Sequence, residues 1–568
     1  MLLRVLSLLF LPQLSTGAPV KGDKQDNIKE VEFWNAVAQR SIDHKLQVNP
    51  HLLKGRRPKN VILFIGDGMG IPAVTSARIS RNQRAGKDHI GFPLFFESFE
   101  ATGMVKTSSA SHLVTDSAAG ATALLTGRKV NTRSLGMKPT SKEICTSEAE
   151  MHIVDGLVEG ALQLNMSIGF VTSTRVTHAT PAALYAKGVD RDAEYDEADV
   201  RCVNDIAKQL LSYPASEFKV MMGGGSKYLM DKSRNGSRGD GLNVDLEWKE
   251  LGGNRTILRT VDDLTQLNVA EDEKLLGIFA DSHFPYYMDE VLENRQTVPR
   301  LHEMTRKAVE HLQKNDEGFF LMVEGGLIDM AEHENWMHVT FSEVYEFEEA
   351  IRVARETTSS DDTLIIVTAD HGHALTLPGY LPAVETIFES SSTHDNKHKD
   401  GGAEFFVPAM FFATGPGYRE GFGTHDSAAV EQPFYRQPSA IPTKYGYHGG
   451  EDVGIWADGP FSHLFSSSME NTEVAYTMKF LLCAGTEGHS ICDIGRREED
   501  IADGAPTDSF EKRVLERFGL KTVTVAAIVL LVIAVASLLS TVFLASLLHV
   551  QKHSFAQHYK ANAHQRIF

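Results

Sequence analysis

The stretch VILFIGDG, residues 61–68, contains a short apolar run that leads into a carboxylate. Three later runs have the same apolar character: SIGFV at 167–171, FFLMV at 319–323 and TLIIV at 363–367. Near-continuous apolar runs are typical of strands buried on both faces of a parallel sheet. Helical patterns lie between them, as in HIVDGLVEGALQL and LHEMTRKAVEHLQ. The sequence therefore predicts an α/β fold with a large, mostly parallel sheet and helices on both faces.

The size and charge of the chain restrict its possible functions. A single large α/β domain with insertions could use most of the 568 residues. Residues 375–445 contain loop-like stretches such as SSTHDNKHKDGG, which predict a small inserted subdomain. The net charge of −19 argues against a protein that binds nucleic acid.

Both ends of the chain carry signals for the secretory pathway and a membrane. Residues 1–17 have the basic start, apolar run and small residues of a secretory signal peptide. The uncharged apolar stretch 522–548 is long enough to cross a bilayer. This leaves 18–505 as an ectodomain at the cell surface, 506–521 as a linker and 549–568 as a short cytoplasmic tail. Because a lipid-anchor signal normally ends in its hydrophobic run, the polar tail favours a single-pass helix, with a GPI anchor as the alternative.

A secreted ectodomain is expected to form disulfides and to carry glycans. The chain has four cysteines, and an even number in this setting suggests two disulfides. We predict the pairs Cys145–Cys202 and Cys483–Cys492, the second of which would close a small loop. N-x-S/T triplets predict glycosylation on the surface. The acceptor asparagines are Asn165, Asn235 and Asn254.

Polar residues follow three of the predicted strands at the point where each strand ends. They are Asp67 after the first strand, Glu324 and Asp329 after the third, and Asp370 and His371 after the fourth. Ligand sites in open α/β sheets form at the carboxyl ends of the strands. Zinc binds histidine nitrogen and carboxylate oxygen, while magnesium binds oxygen, so these side chains predict a metal centre at that edge. On a helix, Asp329 and His333 would share one face because they are four residues apart.

Six motifs occur in a fixed order: FIGDGMG, VTDSAAGATA, TRVTHATPAALYA, VEGGLIDMAEH, TADHGH and HGGEDV. Each is weak alone, but together they closely resemble the alkaline phosphatases, in particular the membrane-anchored animal type, over roughly residues 30–500. The resemblance implies that family's α/β fold and an extracellular, metal-dependent enzyme that hydrolyses small phosphate monoesters. It also implies a homodimer, in which the apolar face of a helical segment at 28–48 would find a partner.

The resemblance assigns the reaction to a serine and an arginine. Ser117 matches the nucleophile, which would form a phosphoserine intermediate. Arg191 matches the arginine that binds the substrate phosphate, because its planar fork can pair with two oxygens at once. The serine needs no histidine base, since a zinc ion would stabilise its alkoxide.

The resemblance also implies two Zn²⁺ ions and one Mg²⁺ ion per subunit. The ligands of the first zinc would be Asp67, Asp116, Ser117, Asp370 and His371. The ligands of the second zinc would be Asp329, His333 and His448. The magnesium would be held by Asp67, which bridges it to the first zinc, and by His178, Thr180 and Glu324. His373 lies nearby in the sequence and is expected to orient a ligand.

The chain departs from the family pattern at two places. Animal members usually carry histidine where this chain has Met330, which predicts weaker binding of phosphate. Mammalian members carry a further Ca²⁺ site. Glu247 matches one of its ligands, but Ala280 and Asn294 stand where carboxylates are expected, so only part of that site is present.

Two other functions stay open at this point. A phosphodiesterase or sulfatase of the same superfamily would use threonine or a modified cysteine as its nucleophile, whereas TDSAA offers serine. A catalytically inactive receptor or adhesion ectodomain would not need every ligand position together with Ser117 and Arg191.

Overall fold

The computed structural model describes residues 31–48, 57–86, 92–139, 156–196, 204–268, 270, 272–383, 385–392, 406–420 and 427–484. The strands are, in chain order, β1 (Asn60–Gly66), β2 (Ala101–Lys106), β3 (Ser167–Arg175), β4 (Val220–Gly224), β5 (Arg255–Leu258), β6 (Lys274–Ile278), β7 (Phe319–Gly325), β8 (Thr363–Thr368), β9 (Gly372–His373), β10 (Leu375–Thr376), β11 (Ser390–Ser392), β12 (Phe406–Pro408), β13 (Phe411–Gly415), β14 (Ser439–Pro442), β15 (His448–Gly449), β16 (Val453–Asp458) and β17 (Ser467–Glu470).

Ten of these strands form one sheet in the order β17-β2-β16-β8-β1-β7-β3-β4-β6-β5. β16 runs antiparallel to both of its neighbours, and the other pairs are parallel. The four strands predicted from apolar runs are β1, β3, β7 and β8, and they lie side by side at the centre. All residues of β1, β7 and β8 are buried. Since successive side chains of a strand point to opposite faces, both faces of the sheet are covered, and the predicted fold class is confirmed.

Helices alternate with the strands of the sheet. They are α1 (Val31–Val48), α2 (Ile71–Arg84), α3 (Ser117–Thr126), α4 (Leu157–Gln163), α5 (Ala179–Ala182), α6 (Ile206–Gln209), α7 (Ser226–Leu229), α8 (Val244–Glu250), α9 (Val261–Thr265), α10 (Tyr287–Leu292), α11 (Leu301–Leu312), α12 (Leu327–His333), α13 (Met337–Glu356), α14 (Ser427–Val430) and α15 (Asn471–Leu482). Short 3₁₀ turns occupy Phe95–Ser98, Ala215–Glu217, Lys232–Arg234 and Ser462–Phe465. The long helix α13 packs on the centre of the sheet, where the ring of Phe347 meets the ring of Phe64 at 5.8 Å.

A second, small sheet lies inside the segment 375–445 that was expected to form an insertion. Its strands are β10, β13 and β14. β11 and β12 pair separately. β9 pairs with β15, which sets His373 opposite His448. The insertion therefore begins directly after the metal-binding motif TADHGH and ends directly before HGGEDV.

The N-terminal helix α1 packs against α15 of the same chain. Its apolar face is buried through Trp34, Ala38 and Ile42. The hydroxyl of Tyr476 donates a hydrogen bond to Gln39 Oε1 at 2.8 Å, across the same interface. The described part of this face is thus partly covered within the chain, and its contact with a second subunit stays a prediction. A homodimer remains a prediction that rests on the resemblance alone.

Several predicted features lie outside the described residues. They include the signal peptide at 1–17, the linker at 506–521, the apolar stretch at 522–548, the tail at 549–568, and Cys145, Cys202 and Cys492. Within the part of the chain that is described, no helix combines the length and the apolar character needed to span a bilayer. Cys483 is disulfide-bonded, and the predicted pairing stays a prediction. Asn165, Asn235 and Asn254 are all exposed, as glycan acceptors must be.

Candidate active site

The carboxyl ends of the central strands bring the predicted site residues together. Asp67 directly follows β1, Glu324 is near the end of β7, and Asp370 and His371 follow β8. Ile65 pairs with both Glu324 and Thr368 in the register of the sheet, which places these strand ends side by side. All four side chains are buried. The parallel register is therefore the reason why residues about 300 positions apart share one site.

Ser117 is the first residue of α3 and lies inside this group. Its Oγ donates to Asp67 Oδ1 at 3.3 Å and is 3.3 Å from His371 Nε2. A Cβ on Gly120 would lie 3.0 Å from the carbonyl oxygen of Asp370, so glycine lets α3 approach the end of β8 this closely without a shift of the backbone. The run of small residues after Ser117 thus serves the close approach of helix and sheet.

Asp116 caps the N-terminus of α3 and binds Arg191. Its Oδ1 accepts from the backbone N–H of Ala119 at 3.3 Å and of Arg133 at 2.9 Å. Its Oδ2 lies 3.2 Å from Arg191 Nη1. Both oxygens therefore already have donors, and Asp116 belongs to none of the metal-binding groups formed by the described residues. These contacts position Arg191, and the role of zinc ligand expected for Asp116 stays a prediction.

Asp329, His333, His373 and His448 form the first of three groups that could hold a metal ion. His333 Nε2 is 3.2 Å from Asp329 Oδ2, and His448 Nε2 is 3.2 Å from His333 Nε2. The other ring nitrogens meet backbone carbonyls: His333 Nδ1 lies 2.5 Å from Gly446 O, and His448 Nδ1 lies 3.0 Å from Thr115 O. A carbonyl only accepts, so Nδ1 carries a proton in both rings and Nε2 is the atom that faces the group. This is the arrangement that metal-binding histidines adopt.

His371 and His373 differ in how they use their rings. Nδ1 of His371 faces its neighbour's carbonyl, Gly372 O, at 3.2 Å, which leaves Nε2 for the space beside Ser117 and Asp67. Nε2 of His373 lies 2.6 Å from Asp329 Oδ1, so this ring orients a carboxylate, as expected from the sequence. Asp67, Asp329 and His371 make up the second metal-binding group.

Asp67, His178 and Glu324 make up the third group. Glu324 Oε2 accepts hydrogen bonds from the hydroxyls of Thr172 and Thr174. Asp67 Oδ2 and Glu324 Oε1 are buried without a hydrogen bond to any described residue. Two such oxygens pointing into one buried space are costly unless a cation or protons neutralise them. The predicted ligand Thr180 is also fully buried here.

His178 contacts the phosphate-binding arginine. Its Nε2 lies 3.0 Å from Arg191 Nη2, and a guanidinium can only donate, so Nε2 accepts and the ring proton lies on Nδ1. In this arrangement His178 orients Arg191. Direct binding of a metal ion by Nδ1 would require the ring proton to move and this contact to break.

The pKa shifts reflect a crowd of carboxylates in a buried space. Burial, together with Asp370, Asp329 and Glu324, raises the pKa of Asp67 well above its ordinary value. Burial likewise raises the pKa of Glu324 and of Asp370, each to about 7. Burial lowers the pKa of His371, and the adjacent His448 lowers it further, so the ring stays neutral. The site favours added positive charge, which divalent cations would supply.

Some contributors to the site could not be assigned from motifs. Thr172 and Thr174 lie two residues apart on β3, so their hydroxyls share one face of the sheet, next to the strand that carries Glu324. This spacing could have identified them from the sequence. The carbonyls of Thr115 and Gly446 left no such signal, because a backbone group is the same in every residue.

Of the partial Ca²⁺ site, Glu247 is exposed on α8, and the Ala280 carbonyl accepts from two backbone N–H groups, Gly225 at 2.9 Å and Ser226 at 3.1 Å.

Comparison with known proteins places the chain in one family. The sequence model described as alkaline phosphatase matches residues 58–484. An alkaline phosphatase of Gadus morhua is 34% identical over 478 residues, which cover 80% of this chain and 98% of that protein. The tissue-nonspecific isozyme of Homo sapiens is 34% identical over 490 residues, covering 81% of this chain and 90% of that one. A membrane-bound alkaline phosphatase of Bombyx mori is 31% identical over 505 residues, covering 84% and 90%.

Solved structures agree with this result. The alkaline phosphatase of the Antarctic bacterium TAB5 superposes with a TM-score of 0.54 at 25% identity, covering 76% of this chain and 100% of that one. The Thermus thermophilus enzyme superposes with a TM-score of 0.57 at 24% identity, covering 78% and 96%, and supports the fold alone. The chain therefore belongs to the alkaline phosphatase family, as a hydrolase of phosphate monoesters.

Proposed function

We propose that this alkaline phosphatase transfers the phosphoryl group of its substrate to Ser117 and then to water, with two Zn²⁺ ions and one Mg²⁺ ion bound beside the serine. The observation that carries the proposal is the position of the Ser117 hydroxyl. It is buried, it contacts Asp67 and His371, and Arg191 is held on the neighbouring Asp116. His371 contacts Ser117 through Nε2, but its Nδ1 faces the carbonyl of Gly372 and not a carboxylate, so this pair differs from a Ser-His-Asp triad, which fits activation by a metal ion.

The donor atoms fit the proposed metals. Asp329, His333 and His448 supply one carboxylate and two oriented imidazoles, a typical zinc set. Those three residues would hold the second zinc, and Asp67, Ser117, Asp370 and His371 would hold the first. Asp67, Thr180 and Glu324 supply oxygens for Mg²⁺, with His178 beside them. When bound, such ions lower the pKa of the serine hydroxyl and neutralise charge on the reacting phosphate.

The chain's own residues perform the steps of the transfer. Arg191 binds two phosphate oxygens through its fork and is fixed by Asp116. Ser117 Oγ loses its proton and attacks phosphorus, the bond from phosphorus to the ester oxygen breaks, and the alcohol leaves after taking up a proton. Water then cleaves the phosphoserine and restores the serine. Both steps need phosphorus held in line between Ser117 Oγ and the oxygen opposite it, which is the ester oxygen in the first step and the attacking water in the second. A rigid helix start and a rigid strand edge provide this.

The location and assembly of the enzyme are part of the same proposal. We place the ectodomain outside the cell on the signal peptide at 1–17, and we attach it to the membrane through 522–548 as a single-pass helix, with a GPI anchor as the alternative. The relative from Bombyx mori is named as membrane-bound, which supports attachment. The homodimer rests on the resemblance to the family.

Trapping the phosphoserine tests the proposal directly. Brief incubation of the full-length protein with substrate, followed by acid quenching and peptide mapping, should find one phosphoryl group on Ser117. The Ser117→Ala variant should lose at least about a thousandfold in kcat while its metal content is unchanged. Leu246→Ser, an exposed change on α8, is the control. Normal turnover by the alanine variant, or phosphate trapped on another residue, would refute Ser117 as the nucleophile.

A further inference from the structure

Two loops with exposed apolar side chains border the opening of the active site. One loop leads into α3 and carries Leu113 and Val114, which are 87% and 40% exposed. The other leads into β15 and carries Tyr445 and Tyr447, which are 45% and 60% exposed. A single exposed apolar residue needs no explanation, but four of them beside one catalytic site do.

The tyrosine loop is fixed to a predicted metal ligand. Gly446, between the two tyrosines, donates its N–H to His333 O at 2.7 Å, and its carbonyl lies 2.5 Å from His333 Nδ1. The ring of Tyr445 lies 6.4 Å from the ring of His333. The backbone N–H of Tyr447 donates to Thr414 Oγ1 at 2.8 Å. The two aromatic rings are therefore held at the edge of the site and do not move freely with the loop.

The other loop is joined to the same place. Thr115, next to Val114, receives the hydrogen bond of His448 Nδ1 at 3.0 Å. A Cβ on Gly450 would lie 3.0 Å from Val114 Cγ2, so Val114 also packs against the backbone directly after β15. The residues of 113–115 and 445–447 carry no charge. Leu113, Val114, Tyr445 and Tyr447 thus form one surface of uncharged side chains, which we call the collar, with Lys444 Nζ 4.7 Å from the centre of the Tyr445 ring at its edge.

Exposure shows that the collar lies on the side where the substrate leaves the site. The Asp67 and His371 side chains are completely buried, whereas those of His448 and His333 are 15% and 29% exposed. Since Arg191 and Asp116, which are 16% and 13% exposed, are needed for the phosphate, we infer that the alcohol part leaves past these two histidines to the collar. In an in-line transfer the ester oxygen lies opposite the attacking serine. The alcohol part of the substrate must then project away from Ser117, toward the collar.

We propose that the collar binds the alcohol part of the phosphate monoester, so that this enzyme favours esters of aromatic alcohols over those of small polar ones. This rests on the proposed function, because Ser117 sets the direction of the alcohol. Aromatic rings of the substrate would stack on Tyr445 and Tyr447, and their edges would contact Leu113 and Val114. Both contacts remove apolar surface from water.

Inhibition by phosphonates tests the collar without breaking a bond. Methylphosphonate reaches only the phosphate-binding part of the site, and 2-naphthylphosphonate adds the aromatic group. On the full-length, metal-loaded protein, the naphthyl compound should have an inhibition constant lower by about tenfold or more. The double variant Tyr445→Ser/Tyr447→Ser should lose most of this preference, while inhibition by methylphosphonate stays unchanged. Leu113→Ser/Val114→Ser should lose a smaller part.

Two further variants separate recognition from folding and from assembly. Tyr445→Phe/Tyr447→Phe keeps the rings and should keep the preference, whereas Leu246→Ser, exposed on α8, should change nothing. A naphthyl preference that is absent in the wild type, or retained in the serine variants, would overturn the proposal. So would a serine variant that keeps the preference but changes from dimer to monomer, since the collar would then be a subunit contact. Failure of the proposed function would give a different result. No phosphoryl group would then be trapped on Ser117, although the enzyme would still prefer the naphthyl compound.

Discussion

The two ends of the metal centre are made of different atoms. At the outer end, Asp329, His333 and His448 offer mostly nitrogen and reach the surface in part. At the inner end, Asp67 and Glu324 offer oxygen and are completely buried. Nitrogen-rich sets suit zinc and oxygen sets suit magnesium, so the proposed metals follow from the donors. One sheet edge can thus hold two chemistries because two histidines join one carboxylate at the outer end, whereas one histidine, His178, joins two carboxylates at the inner end.

The two ends also differ in how the ligands are held. At the outer end, the backbone carbonyls of Thr115 and Gly446 fix the rings. Burial lowers the pKa of His333, but the Asp329 carboxylate outweighs this and raises it to about 9, so a proton can neutralise Asp329 when no metal ion is bound. At the inner end, threonine hydroxyls contact Glu324, but buried carboxylates still face one another. We therefore expect the outer end to lose its metal ion when one ligand is removed. We expect the inner end to destabilise the folded protein when no cation is bound.

Removal of an outer ligand should have the largest effect. His448→Ala deletes one of the two oriented imidazoles and should remove about one zinc per subunit, with activity lower by about 100-fold or more. Magnesium content should not change, since His448 is not part of the inner group. Metal analysis of the purified protein and kcat/KM on a simple monoester measure both effects. His44→Ala, exposed on α1, is the control. Full zinc content in His448→Ala would show that the outer end is not a zinc site.

A change at the inner end should lower magnesium affinity and reverse its effect on stability. Glu324→Gln removes one buried carboxylate and should weaken magnesium binding by about 10- to 100-fold, while zinc content stays the same. In the chelated protein the same change should be stabilising, because the glutamine carries no buried charge. Titration with Mg²⁺ and thermal unfolding with and without chelator test the two statements. Equal magnesium affinity would remove Glu324 from the proposed ligand set.

The pH dependence of that stability difference has a definite sign. The pKa of Glu324 is raised by burial from 4.5 to about 7, so between these values the folded chelated protein holds a proton that the unfolded chain has lost. Its stability must therefore fall as pH rises through this window. Glutamine does not titrate, so the advantage of Glu324→Gln should grow from pH 5 to about 7 and then level off. An advantage that is constant across this range would show that Glu324 is ionised in the chelated protein.

Much of the fold and of the ligand set could be predicted from the sequence. β1, β3, β7 and β8 were found because strands buried on both faces need continuous apolar runs. Their parallel order then places the residues at the carboxyl end of each strand along one edge. The partners of Asp116 could not be predicted in this way, since TDS reads equally as a helix cap and as a ligand. Only the packing of α3 against Arg191 and the Arg133 backbone decides between them.

Asp116→Asn separates these two roles. The asparagine keeps an oxygen for the cap but loses the charge that holds Arg191. If Asp116 positions Arg191, phosphate should inhibit about tenfold less strongly, because one charge-assisted hydrogen bond of about 1.5–3 kcal/mol is weakened. Zinc content should be unchanged at both ends of the centre. Loss of zinc in this variant would restore Asp116 as a ligand and contradict the role that its contacts indicate.

Met330 offers the smallest and most local change at the outer end. It lies half-buried on α12 beside Asp329, where a methionine cannot donate a charge-assisted hydrogen bond to phosphate or to a water bound to it. Met330→His adds an imidazole there, and the inhibition constant for inorganic phosphate should fall by up to about tenfold, at about 1.4 kcal/mol per factor of ten. Tighter product binding should also slow turnover if phosphate release limits the rate. Product inhibition measured on both proteins at one pH checks this, with Met330→Leu as the variant that adds no donor. Equal constants for the histidine and leucine variants would show that position 330 does not face the phosphate, and that the outer end of the centre acts on the product through its metal ligands alone.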